Sequence, residues 1–415
     1  MTRVFTALTC LAVFFGALPA YPASLVKVGA RVLHDSGYAE LAGKRIGLIT
    51  NQTAVADDVH TADLMHASGK VQLVDLFAPE HGLRGLKEDG EKVGDRIDER
   101  TGAHVYSLYG RVKKPTPEML RGLDLLVFDI QGVGARFYTY ISTMGLAMQA
   151  AAEAHIPFLV LDRPNPIDGD YFSGFVLEKG YNSFVGEYPI PVAHGMTAGE
   201  LALMIKGECM LPGLEGLDLR VVKMEGWRRD MQWPETGLKW LPTSPNIPDF
   251  ETALLYSGIC FFEGTVASVG RGTTEPFKVV GFPGINVDAL TKRLNDRHLP
   301  GVEFEPTLFT PRSIPGKSSQ PKFRDQEVTG LRIMITNPRA YRPVETAVHL
   351  LCAMYGSLGK EQQEHFFHEE GFDHLAGTCV PRKLIQKGAS PEEIIATWQE
   401  DIRRFAERRR KYLLY

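Results

Sequence analysis

Short apolar runs alternate with amphipathic segments through the first half of the chain. Runs rich in Val, Ile, Leu and Phe predict β-strands at 45–50, 71–77, 104–108, 125–130 and 158–161. The segments between them predict helices at 61–67, 140–155 and 197–206. Strands that alternate with helices in this way form a doubly wound parallel α/β sheet.

The rest of the chain has weaker patterns. A strand is predicted at 259–262, and from about residue 282 a second, smaller α/β unit is predicted from helices and strands at 288–295, 302–304, 331–336, 344–354 and 392–411. These patterns suggest a first domain at 24–281 and a second at 282–415.

Polar side chains follow four of the predicted strands of the first sheet. They are Asn51 and Gln52, Glu80 and His81 with Arg84 nearby, Gln131 with Arg136, and Asp162 with Arg163 and Asn165. Ligands of open parallel sheets bind at the carboxyl ends of the strands. We therefore expect these groups to meet at one edge of the sheet.

Composition and charge limit the classes of partner and cofactor that the chain is expected to have. The 415 residues are 44% hydrophobic and carry a net charge of −4, which argues against a nucleic-acid partner. Arg3 and the apolar residues 4–18 resemble a secretory signal, so we expect residues 1–23 to be removed and the mature protein to be periplasmic or secreted, without membrane insertion. The chain has no CxxC or GxSxG motif and no GxGxxG after the first strand, so neither a metal nor another cofactor is expected.

Carboxylates near strand ends point towards glycoside hydrolysis. This reaction needs an acid for the leaving oxygen and a second group for the oxocarbenium-like centre. The candidates are Glu80, Asp129, Asp162 and Glu263. Arginines such as Arg136 and Arg271 can hold a substrate carboxylate by bidentate pairing.

A family resemblance rests on seven motifs in order. They are PEHGLRG (79–85), FDIQGVGARFYTYISTM (128–144), LDRPNP (161–166), HGMTAGE (194–200), SPNIP (244–248), GRGTTEPF (270–277) and the terminal KYLLY. Together they resemble the DUF1343 family, typified by exo-β-N-acetylmuramidases. The resemblance implies a Rossmann-like catalytic domain, a smaller auxiliary domain, a cleft between them, and release of N-acetylmuramic acid from the non-reducing end of peptidoglycan fragments.

The resemblance also implies roles for single residues. Glu80 is the leading catalytic candidate, and the second group is left open between Asp162, Asp129 and Glu263. The substrate-binding residues expected from the strand ends and motifs are Asn51, Gln52, His81, Arg84, Gln131, Arg136, Tyr138, Arg163, Asn165, His194, Asn246 and Arg271. The alternative is a periplasmic protein that binds muropeptides or the cell wall without cleaving them.

Overall fold

A computed structural model describes residues 26–80, 82–83 and 96–415. The expected signal segment 1–23, His81 and Arg84 lie outside the described residues.

The first nine strands of the described chain are β1 Arg45–Thr50, β2 Val55–Ala56, β3 Val59–His60, β4 Gln72–Ala78, β5 Arg96–Ile97, β6 His104–Ser107, β7 Leu125–Asp129, β8 Phe158–Leu161 and β9 Leu219–Val222. Strands β2 and β3 form a separate hairpin, and the other seven form the first sheet in the order β5-β6-β4-β1-β7-β8-β9. All neighbours in the seven-stranded sheet are parallel except β5, which runs antiparallel to β6. The chain leaves the central β1 first to one side and then to the other, which confirms the Rossmann-like fold and places the switch point between β1 and β7.

Helices cover both faces of this sheet. They are α1 Gly29–Asp35, α2 Thr61–Ala67, α3 Tyr140–Glu153 and α4 Ala198–Gly207. Leu48 and its register partner Leu76 belong to the core that contains α1 and α2, whereas the next pair, Ile49 and Phe77, belongs to the core that contains α3 and α4. Successive strand residues point to opposite faces, so both positions are apolar because both faces are buried.

The second part of the chain contains α5 Phe250–Ile259 and a three-stranded antiparallel sheet. Its strands are β10 Val279–Gly281, β11 Val302–Phe309 and β12 Val328–Ile335, with β12 in the centre. The later helices are α6 Val287–Asn295, α7 Pro343–Tyr355, α8 Lys360–Glu364, α9 Glu369–Ala376, α10 Val380–Gln386, α11 Pro391–Thr397 and α12 Gln399–Arg409. The boundary predicted between residues 281 and 282 falls directly after β10, whose partner strand lies beyond it.

The strand predicted at 259–262 is wrong. Asp249 caps α5 by accepting a 2.7 Å hydrogen bond from the Thr252 main-chain nitrogen, and the helix continues to Ile259 before a 3₁₀ turn, Cys260–Gly264. Every residue of α5 from Thr252 onwards is buried, and a short apolar run that is buried on all sides does not reveal its period. The terminal helix is likewise two helices, α11 and α12. Within the described residues no helix has the length and apolar character needed to span a membrane.

Candidate active site

The strands β4, β1, β7 and β8 are adjacent and parallel, so the four predicted polar clusters share one edge of the sheet. The Thr53 hydroxyl links the segments that follow β1 and β7 at the switch point, because it accepts a 3.0 Å hydrogen bond from the Gln131 main-chain nitrogen. It donates in turn to Asn51 Oδ1 over 2.6 Å. The expectation of convergence is confirmed for the strand ends.

Burial divides the predicted site residues into two groups. The partly exposed group comprises Gln52, Glu80, Glu263 and Arg271. The buried group comprises Asn51, Gln131, Arg136, Tyr138, Asp162, Arg163, Asn165, His194 and Asn246. The first group is open to solvent, whereas the second group is enclosed by the protein.

Glu80 stands at the carboxyl end of β4, directly after Pro79. The Thr139 hydroxyl, one residue before α3, donates a 3.0 Å hydrogen bond to Glu80 Oε2. The next residue, Tyr140, donates from its buried hydroxyl to the Thr243 carbonyl oxygen over 2.8 Å. Burial raises the pKa of Tyr140, and the neighbouring Tyr138 and Glu80 raise it further. The Thr139 hydroxyl therefore orients Glu80 from the start of α3.

Three tyrosine rings, Tyr140, Tyr138 and Tyr256, form what we call the tyrosine row. The ring centroids of Tyr138 and Tyr140 are 4.9 Å apart, and those of Tyr138 and Tyr256 are 5.7 Å apart. Burial raises the pKa of Tyr256, and the nearby Cys260 and Glu263 add to this effect. The row therefore has Glu80 near one end and Glu263 near the other.

Glu263 forms a bidentate ion pair with Arg271. Arg271 Nε lies 2.5 Å from Glu263 Oε1, and one terminal nitrogen lies 3.2 Å from Oε2. The two side chains are 29% and 23% exposed, so the pair remains within reach of a ligand. The Arg271 guanidinium also lies 5.0 Å from the ring centroid of Phe277, which supports it from one face. Glu263 itself lies on the 3₁₀ turn Cys260–Gly264 and not at a strand end as expected.

Asp162 is not available to a substrate, which corrects its selection as a catalytic candidate. It is fully buried, and both of its oxygens accept hydrogen bonds. Oδ1 accepts from the main-chain nitrogens of Arg163 (3.0 Å) and Gly199 (2.8 Å), and Oδ2 accepts from the hydroxyls of Thr197 and Tyr415 (2.8 Å each). Burial raises the pKa of Asp162 to about 6. Its role is to tie the end of β8 to α4 and to the chain terminus.

Arg163 and Asp129 are paired with each other inside the protein. Arg163 Nε lies 2.5 Å from Asp129 Oδ1, and a terminal nitrogen lies 3.1 Å from Oδ2. The guanidinium also donates to the Val55 carbonyl oxygen. Asp129 and the Val55 carbonyl oxygen thus take most of the Arg163 donors, and the side chain is only 5% exposed, so its expected role in binding a substrate carboxylate stays a prediction.

Arg136 is also a scaffold residue. It is fully buried, and it donates to the carbonyl oxygens of Phe175 (2.7 Å), Ile190 (2.9 Å) and Leu375 (2.9 Å). Its expected substrate contact is therefore replaced by three main-chain contacts, which join two distant parts of the chain.

The remaining buried candidates hold loops in place. Asn165 donates to the Met196 carbonyl oxygen (3.2 Å), and His194 Nδ1 accepts from the Met196 main-chain nitrogen (3.2 Å). Burial lowers the pKa of His194 to about 3, so the ring is neutral at pH 7. Asn246 donates to the Lys317 carbonyl oxygen over 2.8 Å.

The two glutamines of the sheet edge organise the loops above it. Gln131 donates to the carbonyl oxygens of Gly132 (2.9 Å) and Pro164 (2.7 Å). Gln52 donates to those of Pro242 (3.0 Å) and Thr243 (3.2 Å). Thr243 is thus held by both Gln52 and Tyr140.

A cleft of about 720 Å³ opens beside the switch point. Among the described residues its lining includes Thr53, Gln131, Arg163, Trp233 and Lys239, and all of the lining lies within residues 28–241. Glu80 is not part of this lining. Glu263 and Arg271 are not part of it either.

Sequence reasoning missed Thr139, Tyr140 and Tyr256. The first two lie within the quoted motif FYTY, from which only Tyr138 was selected. Tyr256 lies on α5 and carries no local signal, because its place in the row depends on how α5 packs.

Comparison with known proteins assigns the chain to a family. The N-terminal model of the exo-β-N-acetylmuramidase NamZ family matches residues 46–251, and the C-terminal model matches residues 254–415. A peptidoglycan β-N-acetylmuramidase NamZ from Bacillus subtilis (strain 168) is 43% identical over 391 residues, which cover 94% of this chain and 91% of the relative.

Two crystal structures of DUF1343 family proteins from Bacteroides fragilis NCTC 9343 share the fold. One has a TM-score of 0.85 and 38% identity and covers 95% of this chain and 100% of its own. The other has a TM-score of 0.77 and 36% identity and covers 94% and 99%.

The match to a peptidoglycan β-N-acetylmuramidase over 94% of the chain places this Rossmann-like protein among the glycoside hydrolases. The chain belongs to the exo-β-N-acetylmuramidase NamZ family. The family models meet between residues 251 and 254, so Glu80 lies in the part matched by the N-terminal model and Glu263 in the part matched by the C-terminal model.

Proposed function

We propose that this enzyme is an exported exo-β-N-acetylmuramidase that releases N-acetylmuramic acid from the non-reducing end of peptidoglycan fragments. The observation that carries the proposal is the partly exposed Glu80, oriented by Thr139 at one end of the tyrosine row. The similarity to the Bacillus subtilis muramidase over 94% of the chain supports the substrate class.

Glu80 acts as the general acid in this proposal. Protonation of the leaving oxygen requires a carboxyl group that a substrate can touch and whose orientation is fixed. Of the four candidate carboxylates, Asp129 and Asp162 are fully buried, whereas Glu80 and Glu263 are partly exposed. The Thr139 hydroxyl fixes one Glu80 oxygen, which leaves the carboxyl group pointing in a defined direction.

Glu263 is the second group. Its ion pair with Arg271 suits a carboxylate that stabilises positive charge at the reacting carbon. Arg271 is the partly exposed member of the described candidate arginines and is the one that we assign to the lactyl carboxylate of the muramic acid. The proposal does not depend on whether the reaction retains or inverts configuration.

Export is proposed from the N-terminal pattern of Arg3 followed by an apolar run. Cell fractionation of the full chain and of a chain without residues 2–23 tests it. The full chain should be found in the periplasm or the medium and the shortened chain in the cytoplasm. Equal cytoplasmic retention of both would refute export without affecting the enzymatic proposal.

The enzymatic test uses a chromogenic β-N-acetylmuramide with wild type, Glu80→Gln and, as a matched control, Glu303→Gln. Glu303 is an exposed residue of β11. Loss of a general acid should lower kcat by about 100-fold or more, with an unchanged unfolding transition and unchanged activity of the control. A wild type that binds muropeptides but releases no sugar would favour the non-catalytic binding protein.

A further inference from the structure

Lys322 reaches into a ring of main-chain carbonyl oxygens beside Glu263. Its Nζ lies 2.5 Å from the oxygen of Thr265, 3.1 Å from that of Ala267, 3.2 Å from that of Glu263 and 3.4 Å from that of Phe262. The four oxygens come from six consecutive residues. We call residues 262–267 the carbonyl turn.

The carbonyl turn has these oxygens because a 3₁₀ turn ends there. The Phe262 carbonyl oxygen already accepts from the main-chain nitrogen (3.0 Å) and the hydroxyl (2.9 Å) of Thr265. Carbonyl oxygens at the end of a turn that lack such a partner need a donor from elsewhere. Phe262, Thr265 and Ala267 are fully buried, so water is a poor substitute at these positions. The three N–H donors of the Lys322 ammonium group are shared among the four oxygens, with Phe262 the most distant at 3.4 Å.

The charges around Lys322 come from neighbouring elements. Burial lowers the pKa of Lys322, Glu263 raises it, and Arg271 lowers it. Burial lowers the pKa of His368, and the charge of Lys322 contributes to this shift. Lys322 is therefore a partly buried cation whose ammonium group contacts carbonyl oxygens and is influenced by the nearby Glu263 carboxylate.

The segment that carries Lys322 also braces the loop that carries Arg271. The Arg312 main-chain nitrogen donates to the Gly272 carbonyl oxygen over 2.8 Å. Gly272 has a φ of +81°, and a Cβ atom there would lie 2.7 Å from Pro321 Cγ. The same segment therefore contacts the loops on both sides of the Glu263–Arg271 ion pair.

We propose that Lys322 is a positioning residue whose ammonium group takes the place of a bound monovalent cation in the carbonyl turn and thereby sets Glu263 against Arg271. The inference rests on the proposed role of Glu263 in the reaction. Without the cation, the carbonyl oxygens repel one another and the turn shifts. A displacement of about 1 Å at a catalytic group can lower a rate by about 100-fold.

The test compares Lys322→Ala, which empties the ring, with Lys322→Met, which fills it with an apolar chain. The exposed Lys317→Ala serves as the matched control. Release from the chromogenic β-N-acetylmuramide is followed while KCl, NH4Cl or methylammonium chloride replaces tetramethylammonium chloride at constant ionic strength. The unfolding transition of each variant is measured in the same salts.

We expect both Lys322 variants to lose about 10-fold to 100-fold in kcat with a smaller change in KM. A small cation should restore much of the kcat of Lys322→Ala but not that of Lys322→Met, and wild type and Lys317→Ala should not respond. Lys322→Gln, which keeps two donors, should have an intermediate kcat and provides the comparison if the first two variants do not fold.

A wild-type kcat in folded Lys322→Met or Lys322→Gln would overturn the inference. A loss in Lys322→Ala that no cation reverses would overturn the cation-like role. Both results differ from failure of the proposed function, in which wild type itself would release no sugar.

Discussion

The hydroxyl group of Tyr415 donates a 2.8 Å hydrogen bond to Oδ2 of Asp162, 253 residues earlier in the chain. The same hydroxyl accepts a 2.8 Å hydrogen bond from the Met224 main-chain nitrogen, and the Tyr415 ring packs edge-on against Trp227 at 5.1 Å. Tyr415 thus covers Asp162, the residue before Arg163, on the buried side of the sheet edge. This relationship makes Asp162 a scaffold residue.

Tyr415→Phe should destabilise the protein without removing activity. The substitution keeps the ring but leaves a buried carboxylate oxygen with one donor fewer, which costs about 1–3 kcal/mol. Denaturant unfolding measures the loss, and kcat should stay within about twofold. Tyr412→Phe is the control, because its partly exposed bond to Glu208 should contribute less. Equal stability of Tyr415→Phe and wild type would contradict the scaffold role.

Asp162→Asn should change how stability depends on pH. The pKa of Asp162 is about 6 in the folded protein and 3.8 in its ordinary state, so the folded protein binds the proton more tightly. This contribution to stability is fully present below pH 4 and is lost as the pH rises through 6, by about 3 kcal/mol. Asparagine does not titrate, so its variant lacks this change.

The measurement is the free energy of unfolding of wild type and Asp162→Asn at pH 4, 5, 6 and 7. The stability of wild type relative to the variant should fall across this range. If the free energies of unfolding of wild type and Asp162→Asn differ by the same amount at every pH, Asp162 has no raised pKa. The variant should also keep most of its kcat, because the amide nitrogen can donate to Thr197 and Tyr415, whereas a catalytic Asp162 would give a loss of about 100-fold or more.

The strands could be predicted because their signal is local. The bounds predicted for Arg45–Thr50 and Phe158–Leu161 match the structure, since runs buried on both faces are continuously apolar. Polar residues at the strand ends were therefore placed at the correct edge. Their position in sequence also singled out Glu80 as a catalytic candidate, and the structure leaves it partly exposed.

The division between site and scaffold could not be predicted in this way. Asp162 and Glu80 both follow apolar strands, yet Asp162 is enclosed by Thr197 and Tyr415, which come from remote parts of the chain. Glu263 was expected after a strand, and its actual position depends on α5 and on the carbonyl turn. Such contacts arise from tertiary packing, which local patterns do not contain.

Thr139→Val should lower activity through the orientation of Glu80. Valine has nearly the same shape as threonine but cannot donate to Glu80 Oε2, so the carboxyl group loses its fixed direction. We expect kcat to fall by about 10-fold and KM to change less. Thr329→Val on β12 is the control. An unchanged kcat in Thr139→Val would show that Thr139 does not orient Glu80 for the reaction.

Arg136→Met should mainly lower stability, whereas Arg271→Met should mainly lower activity. Arg136 is fully buried, and its removal leaves the carbonyl oxygens of Phe175, Ile190 and Leu375 without this donor, which should cost about 3 kcal/mol or more in unfolding free energy.

Arg271 is partly exposed, so its ion pair with Glu263 adds only about 1 kcal/mol to stability. Its loss should nevertheless lower kcat/KM by about 100-fold, because Glu263 loses its orientation and the substrate carboxylate loses its partner. Unfolding and kinetics measured on both variants test this contrast. A less stable but active Arg136→Met, beside a stable and impaired Arg271→Met, is the expected result. The reverse would place the substrate at Arg136 and move the site away from the Glu263 end of the tyrosine row.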